Sequence, residues 1–178
     1  LAPLIKKINK ISKKNLFIVY CAERNQSEQL NKKRRDESIR SLTILGCEVN
    51  NISYMNDFFS VKDLKLHEAS PKVYNFLLNF LKLNNINQII TLNFEGGHPD
   101  HDSLSLIVNK ITNRKKNINS FYVPAYNSRR FLFFPVSVFR PLKSQIKYFY
   151  LDRYGIFVWL DSLLIALQYK SERAAFIK

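Results

Sequence analysis

Apolar side chains at Leu1, Leu4, Ile5, Ile8 and Ile11 recur at helical spacing, so residues 2–13 are expected to form an amphipathic helix. Leu16 to Cys21 is an unbroken apolar run of strand length, the pattern of a strand buried on both faces. Helical spacing returns over 29–45, with Gly46 placed to stop the helix. Val49 to Tyr54 reads as a weaker strand. Ser70-Pro71 marks a helix start, and Val73, Phe76, Leu77, Phe80 and Leu81 form its apolar stripe. Gln88 to Asn93 predicts another strand, 102–113 another helix, and Phe121-Tyr122-Val123 a last strand.

Helices and strands therefore alternate through about residue 125. Such alternation predicts an α/β fold: a Rossmann-like three-layer α/β/α arrangement around a mostly parallel sheet. Ligands in such folds bind beyond the carboxyl ends of the strands, so chemistry is expected in the segments that follow strands directly. Beyond residue 126 the pattern becomes irregular, aromatic and basic, with Pro135 and Pro141; 144–154 and 156–169 have helical character. No internal repeat or linker divides the chain. Residues 1–178 read as a single domain, with 126–178 as its basic, aromatic extension.

Composition narrows the classes. The 178 residues are long enough to bury a core without staples. Four glycines and six prolines exclude a linker or low-complexity chain. Cys21 and Cys47 lie in apolar runs without CxxC spacing, which predicts buried thiols in a reducing, cytoplasmic setting. The longest apolar stretch, Gly155 to Tyr169, is interrupted by Asp161 and is shorter than the roughly 20 residues a membrane span needs. The formal charge is +14, and it is unevenly spread: residues 1–102 hold 15 basic and 11 acidic side chains, residues 103–178 hold 13 and 3. A basic C-terminal half suits an anionic partner, although the abundance of Lys and Asn is also what compositional bias alone would produce.

The densest chemical signal is Gly96-Gly97-His98-Pro99-Asp100-His101-Asp102, directly after the strand at 88–93. The glycines allow a sharp turn or close backbone approach. Pro99 suits the first turn of the next helix. Imidazole and carboxylate side chains are the usual zinc ligands outside cysteine sites. A polar loop-to-helix junction with exposed histidines is the plainer alternative, but its position at a strand's carboxyl end favours a site. A second cluster, Arg34-Arg35-Asp36-Glu37, opens onto the helix ending at Leu45-Gly46; by itself it could be no more than a solvated charged face.

Taken together these stretches resemble the LmbE-like / PIG-L de-N-acetylases, zinc enzymes that remove acetyl groups from N-acetylglucosamine-type sugars. Arg34-x-x-Glu37 followed by Leu45-Gly46 resembles that family's R-x-x-E…L-G segment. His98-Pro99-Asp100-His101 resembles its HPDH signature, and the element order agrees over about residues 1–125. The resemblance implies that His101 ligates zinc and that His98 is the donor to the oxyanion and then to the leaving amine. It further implies that Asp100 orients His98, that Arg34 contacts substrate and that Glu37 shapes the pocket. The implied substrate is an amino sugar or glycoconjugate, phosphate- or lipid-linked forms included.

The family's first signature, A-H-P-D-D-E, does not occur in this sequence. In the family it supplies two zinc ligands and the general base. Leu1 to Ile5 resembles the helix that follows it. The expectation is thus a chain lacking the family's first strand and first metal motif, with an incomplete zinc site and no hydrolysis by itself. A different class also fits part of the pattern: a catalytically inactive basic binding protein. Arg129, Arg130, Arg140, Lys143, Lys147 and Arg153, interleaved with aromatics, could meet nucleic acid or a peripheral anionic membrane surface. No recognisable nucleic-acid-binding motif accompanies them, and the aromatics suit a core equally well.

Overall fold

The computed structural model describes residues 2–12, 15–24, 26–124, 126–127, 137–138 and 163–172. The chain packs as two compact units. One contains Leu1–Tyr20, Arg24–Tyr54 and Tyr148–Lys178; the other contains Cys21–Glu23 and Met55–Lys147.

The first unit is built from α1 (Ala2–Ser12), β1 (Ile18–Tyr20), α2 (Glu28–Ile44) and β2 (Ile52–Tyr54), with a helical turn at 163–168 and a 3-10 turn at Lys170–Glu172. β1 and β2 are parallel, with Ile18 opposite Ile52 and Tyr20 opposite Tyr54. Parallel neighbours need a crossover, and α2 supplies it. Leu42, Leu45 and Cys47 form the buried centre, packed against Ile5, Leu16, Ile18, Tyr20, Ile52 and Ile165. The helix stripe and the apolar strand read from the sequence therefore meet face to face. The expected strand at 49–54 is shorter: Val49–Asn51 is a 3-10 turn, and only Ile52–Tyr54 pairs. Two adjacent asparagines there favour a turn over a ladder.

α2 starts at the N-cap Ser27, whose side chain accepts the Leu30 N–H. It ends as expected at Gly46, where φ is +85°. The Gly46 N–H donates to the Thr43 carbonyl and the Cys47 N–H to the Leu42 carbonyl, closing the helix end. A Cβ at Gly46 would crowd the Asn9 side-chain amide. Strain and crowding thus act together. Gly46→Ala is expected to lower stability by about 1–2 kcal/mol, read as a shift of the urea midpoint. An unchanged midpoint would refute this account of the turn.

The second unit comprises α3 (Ser70–Leu83), β3 (Gln88–Leu92), α4 (Pro99–Arg114) and β4 (Asn119–Val123), preceded by 3-10 turns at Met55–Asp57 and Leu66–Ala69. β3 and β4 are parallel in the register Ile90 opposite Phe121, joined through α4. α4 packs on β3, β4, α3 and the Leu66–Ala69 turn. Met55, Val61, Leu66, Val73, Ile107, Val108 and Ile111 are buried. Phe58, Phe59 and Phe80 ring Phe76 at centroid distances of 4.9, 5.9 and 5.9 Å. The N-cap of α3 is Ala69, without a side-chain cap bond, and not Ser70. Ser70 is the first helical residue, and its hydroxyl donates instead to the His67 carbonyl at 2.8 Å. α4 begins three residues earlier than the periodicity suggested, because Pro99 is pre-organised for a first helical turn.

The chain is thus a mixed α/β protein with short parallel strand pairs, plus a small antiparallel pair, β5 (Tyr126–Asn127) with β6 (Ser137–Val138). The basic and aromatic residues at 129–134, 139–143, 147–150 and 153 lie outside the described residues, as does most of the helical character expected over 144–169. Among the described residues, no helix is long and apolar enough to cross a membrane.

Candidate metal centre

β3 carries the chain to the site. Its pairing continues one residue further, with the Asn93 N–H donating to the Val123 carbonyl at 2.9 Å. The chain then turns through Glu95, Gly96 and Gly97, with Gly96 at φ +68°. Asp102, one turn into α4, reaches back. Its Oδ1 accepts the Glu95 N–H at 2.8 Å and the Gly96 N–H at 3.1 Å. A carboxylate in a first turn also complements the helix dipole. Asp102 is therefore the residue that fixes the strand-to-helix loop.

His98 is the N-cap of α4, a position usually held by a short polar side chain. Its Nδ1 accepts the Asp100 N–H at 3.3 Å. In the neutral ring the proton then sits on Nε2. His101 lies one turn on and stacks on His98, with centroids 4.3 Å apart and planes 25° from parallel. The pKa of His101 is lowered, first by burial and then by the His98 ring. The charges of Asp100, Asp102 and Asp63 act in the opposite direction. The lowering favours the neutral imidazole, the form a metal ligand requires.

Asp100 is buried and does something the sequence did not announce. Its Oδ2 accepts the Leu64 N–H at 2.7 Å and its Oδ1 accepts the Leu66 N–H at 2.9 Å. These bonds reach across more than 30 residues to the turn Lys62–Lys65, which its own Lys65 N–H to Lys62 carbonyl bond closes. Leu64 sits there at φ +65°, a conformation that costs a side-chain-bearing residue roughly 1–2 kcal/mol. On the turn's other side, Val61–Asp63 runs beside Glu23 as a parallel bridge, with the Asp63 N–H donating to the Glu23 carbonyl at 3.1 Å. Held from both sides, the turn delivers Asp63. One ligand atom each of Asp63, His98 and Asp100 lies within 4.8 Å of the others.

The donor set suits a divalent ion: one imidazole nitrogen and two carboxylates, with a second imidazole stacked alongside. Ligand atoms about 2.1 Å from one ion stand roughly 3.4 Å apart in a tetrahedron, so coordination asks only for modest contraction. Asp100 has both oxygens engaged by N–H donors, but each carboxylate oxygen retains a second lone pair. Ligation through His98 Nε2 would move the ring proton to Nδ1 and give up the long bond to Asp100, a cost of about 1 kcal/mol.

The sequence-predicted residues thus separate into two groups. His98, Asp100 and His101 are brought together in the second unit. Arg34 and Glu37 stand one turn apart on α2 in the first. Glu37 is 1% exposed, and its carboxylate accepts the Ser171 N–H at 3.1 Å and the Ser171 hydroxyl. It ties the Lys170–Glu172 turn to α2. Arg35 lies over the Tyr54 ring at 4.5 Å, and Tyr54 stacks on Tyr20 at 4.8 Å. Asp63 is the residue that sequence reasoning missed. It follows no predicted strand, and its only local signal is a charged turn. Glu23, three residues beyond β1, supports the Asp63 turn through its main-chain bonds.

Cys21 follows β1 and has its thiol pushed up to about 12, chiefly by burial and further by the charge of Asp100. Cys47 is raised by burial as well. At pH 8 such a thiol at Cys21 holds roughly a thousandfold less thiolate than an ordinary one of pKa about 8.5. Iodoacetamide is expected to leave both cysteines unmodified in the native protein and to label both in urea. Rapid native labelling of Cys21, followed by mass spectrometry, would contradict this environment.

Comparison with family models, with curated proteins and with solved structures finds no significant match for this chain.

Proposed function

We propose that the site beyond β3 belongs to a metal-dependent amide hydrolase that removes the N-acetyl group from an N-acetylglucosamine-type sugar or conjugate. The observation that carries the reading is the convergence of Asp63 with His98 and Asp100 of the segment that resembles HPDH, at the carboxyl end of a parallel strand. The same reading takes β1–α2–β2 and β3–α4–β4 as parts of a Rossmann-like three-layer domain and zinc as the metal.

A bound divalent ion would supply Lewis-acid polarisation of the acetamide carbonyl and an acidified water. Asp63 and His101 would hold it. Asp100 acts through the turn it clamps: it sets the distance between Asp63 and the imidazoles. His98 offers its Nε2–H to the oxygen that gains charge as the amide is attacked. That proton cannot be donated while Nε2 ligates an ion, so His101, neutral and adjacent, is the better ligand and His98 the donor, the division of roles that the resemblance implies. Arg34 is proposed to contact the sugar, and Glu37 to shape the binding surface through its hold on Ser171.

In the family the general base comes from the signature that this sequence does not contain. That signature also carries two of the family's zinc ligands, and Asp63 adds a donor that does not come from it; zinc binding is expected from the 178-residue chain, and hydrolysis only from the chain fused to a segment bearing the signature. Acetate release from N-acetylglucosamine conjugates, measured for both proteins, is the test. Release by the fusion that is lost with His101→Gln supports the reading; no release from any such sugar by either protein overturns it.

A further inference from the structure

The turn that presents Asp63 has a second, basic side. A cavity of about 230 Å³ in the second unit is lined by Ser60, Lys62, Lys65, Glu68, Ala69 and Lys72, with Val61 completing the wall. Its volume is below the roughly 300–1,000 Å³ of pockets for drug-sized molecules, so it suits a small group. Three lysines and one glutamate, all solvent-exposed, stand around this open pocket. Lys65 is paired with Glu68 at 2.9 Å. Among the described residues, neither Lys62 nor Lys72 has a carboxylate within ion-pair distance.

The placement of Lys72 is electrostatically wrong for helix stability. It lies in the first turn of α3, where the helix dipole is positive, and that turn contains no acidic residue and no side-chain cap. A cation there is disfavoured by the helix dipole, and two further lysines add to the repulsion. An anion in the cavity would reverse the sign of each of these terms. Lys62 and Lys65 are also held in place, because the bonds from Asp63, Leu64 and Leu66 to Glu23 and Asp100 fix the backbone of their turn.

The geometry points to a phosphoryl-binding site formed by Lys62, Lys65 and Lys72 at the N-terminus of α3. A phosphate ester carries about −1.5 to −2 charges and three acceptor oxygens. It matches the net charge of +2 that three lysines and one glutamate leave, better than a single carboxylate would. The site is independent of the hydrolase reading. It shares the Lys62–Lys65 turn with the metal centre, so a phosphorylated ligand bound here would lie against the opposite side of the turn carrying Asp63.

Thermal melting of the full chain in inorganic phosphate, against chloride at matched ionic strength, is the test. A phosphate-dependent rise in Tm is expected for the native chain, because a ligand that binds only the folded state stabilises it. Lys62→Ala/Lys72→Ala should reduce that rise at least tenfold in phosphate concentration, while melting no lower than the native chain in chloride. Lys32→Ala/Lys33→Ala, which removes the same charge from α2, should leave the rise intact. Equal rises in all three proteins, or none in the native chain, would overturn the proposal. Two further arms identify the source of the phosphoryl group: displacement of phosphate by N-acetylglucosamine 1-phosphate but not by N-acetylglucosamine, and flotation with vesicles of phosphatidylcholine with or without phosphatidylinositol. The arm that Lys62→Ala/Lys72→Ala abolishes names the source. Failure of deacetylation leaves these melting shifts untouched, so the two readings fail separately.

Discussion

Asp100→Ala is expected to cost about 3 kcal/mol of stability and to release the Lys62–Lys65 turn. Asp100 is 6% exposed, and its carboxylate holds two backbone N–H groups, those of Leu64 and Leu66. Hydrogen bonds to a charged acceptor contribute about 1.5–3 kcal/mol each, and their loss would leave two donors with no protein acceptor. Leu64, held at positive φ by one of these bonds, would relax toward the ordinary region. Amide hydrogen exchange reads this directly. Protection at Leu64 and Leu66 should collapse in Asp100→Ala, while the amides of α2 in the first unit keep theirs. Asp100→Asn should be intermediate, since one oxygen remains to accept. If both variants retain full protection at Leu64 and Leu66, Asp100 does not position the turn, and the route by which Asp63 reaches the histidines is wrong.

The second large effect concerns metal affinity. Asp63→Ala removes a donor from the cluster while leaving intact the backbone bonds that build the turn. Affinity for zinc should therefore fall by at least about 100-fold, since changes to groups merely supporting metal ligands already cost 10–100-fold. The folded state should be barely affected, because the Asp63 contribution to the turn is made by its N–H. His101→Gln should produce a comparable loss, and His98→Ala a smaller one if its Nε2–H serves as a donor. Competition with a chromophoric chelator gives these ratios. Binding should weaken as pH falls through the His101 pKa, which lies below the usual histidine value, because protonation removes the lone pair. An Asp63→Ala protein that binds zinc as tightly as the native chain would remove the turn from the metal centre.

The two expected losses differ in kind, and their separation tests the division of labour within the site. Asp100 acts on folding first and on metal through folding. Asp63 acts on metal alone. Glu37, although just as buried, belongs to neither effect: its carboxylate joins α2 to Ser171 within the first unit.

Local rules were enough for much of this protein. The 3.6-residue spacing of Val73, Phe76, Leu77, Phe80 and Leu81 specified α3, and the apolar run before Cys21 specified β1, because burial of one face or of both leaves a periodic trace in the chain. Gly46 marked the end of α2 since only glycine takes φ +85° there without strain. His98, Asp100 and His101 were legible because one helix turn after one strand brings them together. Asp63 was not. It joins them only through Asp100's bonds to amides 34 and 36 residues away, and a main-chain donor has no residue type to betray it. The lysine cavity was equally hidden, because Lys62, Lys65 and Lys72 become neighbours only when the Leu66–Ala69 turn folds the loop onto the start of α3. Elements are decided by side-chain periodicity along the chain; the site is decided by long-range hydrogen bonds to backbone groups, which every residue but proline can make.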